Sequence, residues 1–176
     1  MRDQQKVAIL AEQLYEDQEL WYPYYRLMEA GYDVKIVAPV KKTYYSKHQY
    51  PVNADLSIDE AKAEDFIGVV VPGGYAPDHL RRHSKIVSFV RKIYEKDGLV
   101  AAICHAGWLL ISAGILNDKD ATCFFAIKDD LINAGANYLD KEVVIDKHLV
   151  TSRSPKDLPA YLPAILKVLK KLHSCK

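Results

Sequence analysis

Cys104 stands where two patterns meet. Leu99–Ile103 before it is a short unbroken apolar run, which suits a strand buried on both faces of a parallel sheet. After it, Trp108, Leu109, Ile111 and Ser112 follow helical spacing, and Gly114 sits where a helix would close. A thiol on a sharp strand-to-helix turn has the geometry of a nucleophile elbow, although the G-x-S-x-G spelling is absent. An ordinary thiol, with a pKa of about 8.5, is only a few per cent ionised at neutral pH. The positive end of a helix would lower that value and enlarge the thiolate fraction. The neighbouring amides, that of His105 first, could donate to an oxyanion. The alternative role for Cys104 is that of a small core residue at a strand end.

Two further groups fall at the same edge if the chain forms a parallel sheet. Gly73 and Gly74 follow the apolar strand Asp65–Val71; they permit backbone conformations that other residues avoid, where open α/β sheets bind ligands. They do not spell a dinucleotide fingerprint. The loop after the first strand carries Glu12 and Glu16, and a carboxylate there could hold the thiol or shuttle a proton. Glu16 could equally be a helix-capping carboxylate.

The elements that must position these groups alternate. Lys6–Leu10 reads as a buried strand, and Asp17 as the N-cap of a helix to about Ala30 that Pro23 should bend or shift. Tyr32–Val40 reads as a second strand. Lys41–Leu56, with Tyr44, Tyr45, Lys47, His48 and Tyr50, reads as a loop or small hairpin on a solvated or subunit-facing edge. Ser57 and Glu60 have capping-box spacing for a short helix through Ala63. Ser84–Lys96 is amphipathic through Ile86, Phe89, Val90 and Ile93. Ala121–Phe125 predicts a strand, Ile127–Ala134 a short helix, and Glu142–Ile145 with Leu149–Ser152 a strand pair turning at Asp146 and Lys147. Asp157 is placed to cap a last helix through Leu172. This order predicts one doubly wound α/β domain over residues 1–176, a mostly parallel sheet with helices on both faces.

Composition narrows the function. The formal net charge of +1 gives no reason to expect nucleic acid or an anionic membrane as partner. No apolar run approaches the roughly twenty residues that span a bilayer. Cys104, Cys123 and Cys175 are an odd set without metal-like spacing; with no leader-like segment at Met1–Lys6, they fit a reducing cytoplasm. His79, His83, His148 and His173 lie on polar segments and read as solvated. No metal site and no cofactor are expected.

Taken together, the chain resembles the ThiJ/PfpI family, most of all its PfpI branch. The matching stretches are Tyr15–Leu20, Val71–Gly74 with Ala76–Asp78, Ala102–His105, Ile111–Gly114, Ile127–Asp130 with Asn133–Gly135, and Thr151–Arg153. The resemblance implies a flavodoxin-like sandwich and a homo-oligomer, whether dimer, trimer or hexamer. It implies Cys104 as nucleophile, Glu16 as the acid that hydrogen-bonds the thiol, and Gly74 and His105 as the sources of the oxyanion amides. His105 takes the place of an imidazole paired with a neighbouring subunit's carboxylate, and Asp78, one methylene shorter than the usual Glu, stands where that carboxylate would be. Two positions depart from the pattern. His105-Ala106-Gly107 replaces H-G-P and is followed by Trp108, which either lines the pocket entrance or is core. Phe124 stands where His or Tyr often faces the nucleophile, so His105 would have to cover that role. Arg153 is expected to be structural, packing near the active edge.

Three activities follow from this set. The first is cofactor-independent conversion of a small 2-oxoaldehyde to a 2-hydroxy acid, with the same attack on early glycation adducts reading as deglycation. The second is a cysteine peptidase or amidase built on Cys104, His105 and Asp78. The third is non-enzymatic: oxidation of Cys104 as a stress sensor.

Overall fold

The computed structural model describes residues 5–174, with side chains through Leu172. Its elements run β1 (Lys6–Leu10), α1 (Asp17–Glu29), β2 (Asp33–Ala38), β3 (Thr43–Tyr45), β4 (Pro51–Asn53), β5 (Leu56–Ser57), β6 (Phe66–Val71), α2 (Ala76–Leu80) and α3 (Ser84–Glu95). There follow β7 (Leu99–Ile103), α4 (Gly107–Ala113), β8 (Asp120–Ala121), α5 (Lys128–Asn133), β9 (Asn137–Tyr138), β10 (Val143–Asp146), β11 (Leu149–Ser152) and α6 (Leu158–Ser174). Seven strands form one sheet in the order β10-β11-β7-β6-β1-β2-β5, parallel except for β10. α1 and α6 pack together against one face, and α3 with α4 against the other. This is the doubly wound arrangement that the alternation of elements predicts, and the flavodoxin-like sandwich that the resemblance implies.

The central strands are apolar because both faces are covered. Every residue of β7 is buried, as are Val7–Leu10 and Val69–Val71. Each valine, leucine or isoleucine among them contributes roughly 1.5–3 kcal/mol on burial. The carboxyl ends of β1, β6 and β7 are adjacent in the sheet, so the loops after them meet at one edge.

Several boundaries differ from expectation. The N-cap of α1 is Glu16 and makes no side-chain cap; Asp17 is the first helical residue, its carboxylate taken by Ser46 and His48. α1 continues through Pro23, which is buried within it. Glu60 Oε2 accepts from the Ser57 amide at 2.8 Å, one half of a capping box, and from the Ser57 hydroxyl at 2.9 Å, but no α-helix follows. Ser57 instead pairs with Ala38 in the sheet, and the segment after it is too short to meet the cost of helix nucleation. The strand expected over Ala121–Phe125 is two residues long, pairing β8 with β9. Beyond it, the Thr122 amide donates to Thr151 Oγ1 and the Phe124 amide to the Cys104 carbonyl, which takes two of the segment's amides away from a ladder. Asp157 precedes α6, but its carboxylate takes two bonds from Arg153 at 2.9 and 3.1 Å. His148 is buried against the Tyr94 ring rather than solvated. Cys175 lies outside the described residues, and the side chain of His173 outside those described. Among the described residues no helix is long and apolar enough to cross a membrane.

Candidate active site

Cys104 is the first residue after β7 and has a φ of +61°. A non-glycine residue held in the left-handed region costs of order 1–3 kcal/mol and persists only where the surroundings fix it. Here they do: the Cys104 carbonyl accepts from the Phe124 amide, and the side chain is 9 % exposed. A one-turn 3-10 segment, Cys104–Ala106, separates it from α4.

The glycines after β6 close against the thiol from the other side. A Cβ on Gly73 would lie 2.7 Å from the Cys104 Cβ and 2.5 Å from Glu19 Oε2, so no side chain fits. Gly74 has a φ of +76° and bridges Tyr15 in the loop after β1. That loop is pinned by three further bonds: the Glu16 amide to the Gly73 carbonyl, the Tyr75 amide to the Leu14 carbonyl, and the Lys47 amide to the Tyr15 carbonyl. The amides of Gly74 and His105 are the backbone groups that favour the Cys104 thiolate. They are the two that the resemblance implies as oxyanion donors.

The acid beside the thiol is Glu19, not Glu16. Glu19 has no solvent exposure, and its Oε2 accepts from the Gly73 amide at 2.7 Å. The Cys104 side chain lies beside its carboxyl group at the Gly73 turn, and Oε1 is buried without a partner. Burial pushes Glu19 up to about 8, against the pull of the Gly73 bond, so it keeps its proton at neutral pH. Glu16, one helical turn earlier, turns outward and binds Lys47 Nζ at 2.6 Å. The expectation that Glu16 bonds the thiol is overturned because that carboxylate sits at the rim, engaged by a lysine. The sequence held a signal for Glu19: it shares the buried stripe of α1 with Leu20, Pro23 and Leu27. A carboxylate on an apolar stripe is costly unless it has a task.

Burial pushes the Cys104 thiol up, and the Glu19 carboxylate adds to this; the amides of His105 and Gly74 act in the opposite sense. A seven-residue helix that begins three residues downstream does not reverse the balance. The expected lowering of the thiol is thus reversed. Below about pH 8 Glu19 holds its own proton, so the carboxylate repulsion disappears and the acid can donate to the sulfur.

His105 Nδ1 lies 3.3 Å from Cys104 Sγ. The imidazole is bracketed by Trp108 and Phe124, with ring centroids at 5.3 and 4.8 Å. Burial, then the nearby Lys47 ammonium, lowers its pKa, so it is a neutral base. Trp108 is half-buried, its Nε1 donates to Asp130 Oδ2 at 2.7 Å, and it lines a cleft of about 420 Å³ with Arg81 and Asp130. Phe124 offers no proton donor. Asp78, on α2, pairs with Arg82 and is not brought to His105 within the chain. Arg153 ties Asp140 to Asp157, a structural clamp. Cys123 is buried, and its thiol is pushed up to about 12 by burial and Asp130.

Lys47 is the second residue the sequence did not single out. The hairpin β3–β4 presents Ser46, Lys47 and His48 to the start of α1. Its bond to Glu16 raises the lysine, and the fields of Cys104 and Glu19 add to that, which places the ammonium in the surroundings of the thiol. Glu16, Asp17 and His48 offer ligand atoms within 4.8 Å of one another. As metal ligands they are poorly disposed: Glu16 is neutralised by Lys47, and both Asp17 oxygens are occupied by Ser46 and His48.

Residues 5–168 match the DJ-1/PfpI family model. The chain belongs to the DJ-1/PfpI family. It is 44 % identical over 165 residues to deglycase PH1704 of Pyrococcus horikoshii, covering 94 % of this chain and 99 % of that protein. YraA of Bacillus subtilis, whose name proposes a cysteine protease, is 40 % identical over 166 residues, covering 94 % and 98 %. Among solved structures, a two-domain protein of Anabaena variabilis with DJ-1/ThiJ/PfpI-like and ferritin-like domains superposes with a TM-score of 0.93 at 43 % identity. That match covers 95 % of this chain and 48 % of the other.

Proposed function

We propose that this DJ-1/PfpI family member is a cysteine-dependent enzyme acting on small reactive carbonyls, converting 2-oxoaldehydes to 2-hydroxy acids and reversing early glycation adducts. The observation that carries the reading is the burial of a proton-holding Glu19 against Cys104 and the Gly73 turn, with the Gly74 and His105 amides favouring the thiolate. The name of the P. horikoshii relative points the same way.

In this reading the Cys104 sulfur attacks the aldehyde carbon and a C–S bond forms. The oxygen gathers negative charge against the Gly74 and His105 amides, then takes a proton to give the hemithioacetal. Glu19 or His105 removes the proton on the former aldehyde carbon, and the adjacent carbon is protonated in turn. The product is the thioester of the 2-hydroxy acid. Water then cleaves the C–S bond, releasing the acid and returning the thiol. The sum is addition of one water to the substrate, with no net oxidation and no cofactor. Phe124 supplies no proton, so the transfers fall to Glu19 and His105.

One observation favours a second reading, amide cleavage: the neutral His105 imidazole is 3.3 Å from the sulfur, where it could take the thiol proton and pass it to a leaving amine. Among the described residues no carboxylate orients that imidazole, which makes it the weaker reading. A homo-oligomer that brings a second copy's acidic α2 to His105 would strengthen it. The deciding experiment is conversion of methylglyoxal to lactate by the purified protein beside Cys104→Ala. Turnover that vanishes with the thiol supports carbonyl chemistry. No turnover from a protein whose Cys104 still alkylates rejects it and leaves amide substrates.

A further inference from the structure

Beyond the C-terminal half of α4 lies a cleft of about 390 Å³ that takes no part in the chemistry above. Three arginines, Arg81, Arg82 and Arg91, and three serines, Ser84, Ser88 and Ser112, line it. Arg81 Nε donates to Ser112 Oγ at 2.9 Å, and Arg91 Nε donates to the Ala113 carbonyl at 2.7 Å. Each guanidinium is thereby fixed through its inner nitrogen. Among the described residues the terminal nitrogens of Arg81 and Arg91 make no hydrogen bond, and neither arginine has a carboxylate partner. Arg82 alone is paired, with Asp78 on the preceding turn.

The backbone adds to the same sign. The twelve-residue α3 begins at Ser84 with no side-chain cap and no acid in its first turn. Its first amides have no intrahelical acceptor, and its dipole is positive at that end. No acidic residue lines the cleft. Clamping α4 onto α3 accounts for the two Nε bonds. It does not account for two guanidiniums left uncompensated around one concavity that also collects three hydroxyls.

We propose that this cleft binds a phosphate group, either free or as the monoester of a small metabolite. The guanidinium fork matches phosphate oxygens two at a time, and serine hydroxyls can donate to those that remain. The cleft lies at the lower end of the roughly 300–1,000 Å³ usual for small-molecule sites, which leaves room beyond the phosphate for a short carbon chain. Arg81 also borders the cleft beside Trp108, so that chain has an open direction to follow.

Isothermal titration of the full chain with inorganic phosphate and with glycerol 3-phosphate, at constant chloride and ionic strength, tests this. The expected result is a Kd below roughly 1 mM for at least one of them. Tighter binding of the ester identifies a metabolite site, and binding of inorganic phosphate alone identifies a free-phosphate site. Ser88→Asp places a negative charge at an exposed helix position in the cleft and should weaken binding at least tenfold, with the circular dichroism unchanged. Arg81→Gln should do the same. No heat from either probe up to about 10 mM overturns the proposal. So does binding that both variants leave unaltered.

Discussion

Glu16 and Glu19 stand three residues apart at the start of one helix, and the fold puts them in opposite states. Glu16 lies at the rim with its charge matched by Lys47, and beside it Asp17 is satisfied by Ser46 and His48. Glu19 is sealed from solvent, holds a proton at neutral pH, and leaves one oxygen without a partner. The outer group is what a stable surface looks like: charges paired and screened. The inner group is destabilised and stays in place because Gly73, Cys104 and the sheet edge fix it. A chemical step draws on the inner arrangement, since a group poised near neutral pH can both take and give a proton.

The sharpest way to break this comparison is to exchange which acid is removed. Cys104→Ala should abolish methylglyoxal turnover, a loss of more than about 10³-fold. Glu19→Gln should lower it by about 10²–10⁴-fold. Glu16→Gln should cost no more than a few-fold, because it loosens Lys47 without touching the proton. Equal losses from the two glutamine variants would collapse the distinction.

Gly74→Ala comes next. The new Cβ would sit 2.5 Å from the Leu14 carbonyl oxygen at a φ of +76°, so the strand end must move. We expect a cost of about 1–3 kcal/mol in denaturant unfolding, together with lost turnover as the Gly74 amide shifts.

Stability against pH reads the same acid without any substrate. Glu19 is raised from an ordinary 4.5 to about 8, so between those values the folded chain holds a proton that the unfolded chain has released. Its contribution is fully present below about pH 4.5 and is lost as the pH rises through about 8, at up to about 1.4 kcal/mol per unit. Glu19→Gln should therefore gain melting temperature relative to the parent as pH rises from 5 to 9. Glu16→Gln should show no such trend. The smallest effect is expected of Lys47→Met, which changes KM more than kcat if the ammonium orients an approaching carbonyl.

Much of this fold is legible in the sequence because its signals are local. The apolar runs of β1, β6 and β7 and the stripe of α3 stand out, and Gly114 takes the left-handed conformation that closes α4. The proposed nucleophile is legible too, from the change of period at Cys104. What is not legible depends on side-chain direction. Choosing Glu19 over Glu16 requires knowing which side of α1 faces the Gly73 turn, and only the buried register of Leu20, Pro23 and Leu27 hints at it. Lys47 enters through a hairpin whose polar sequence has no periodicity, held by backbone bonds to Tyr15 that no pattern announces. The strand expected over Ala121–Phe125 fails for a similar reason, since Thr151 and Cys104 take two of its amides from afar.

The most direct test is the pH dependence of Cys104 alkylation by iodoacetamide, read by peptide mass at that residue, in the parent, Glu19→Gln and Glu16→Gln. A break in the alkylation profile near pH 8 in the parent, where Glu19 loses its proton and its carboxylate opposes the thiolate, kept in Glu16→Gln and absent from Glu19→Gln, is the predicted result. A break that survives in Glu19→Gln and disappears in Glu16→Gln would contradict the assignment of Glu19 as the partner of the thiol.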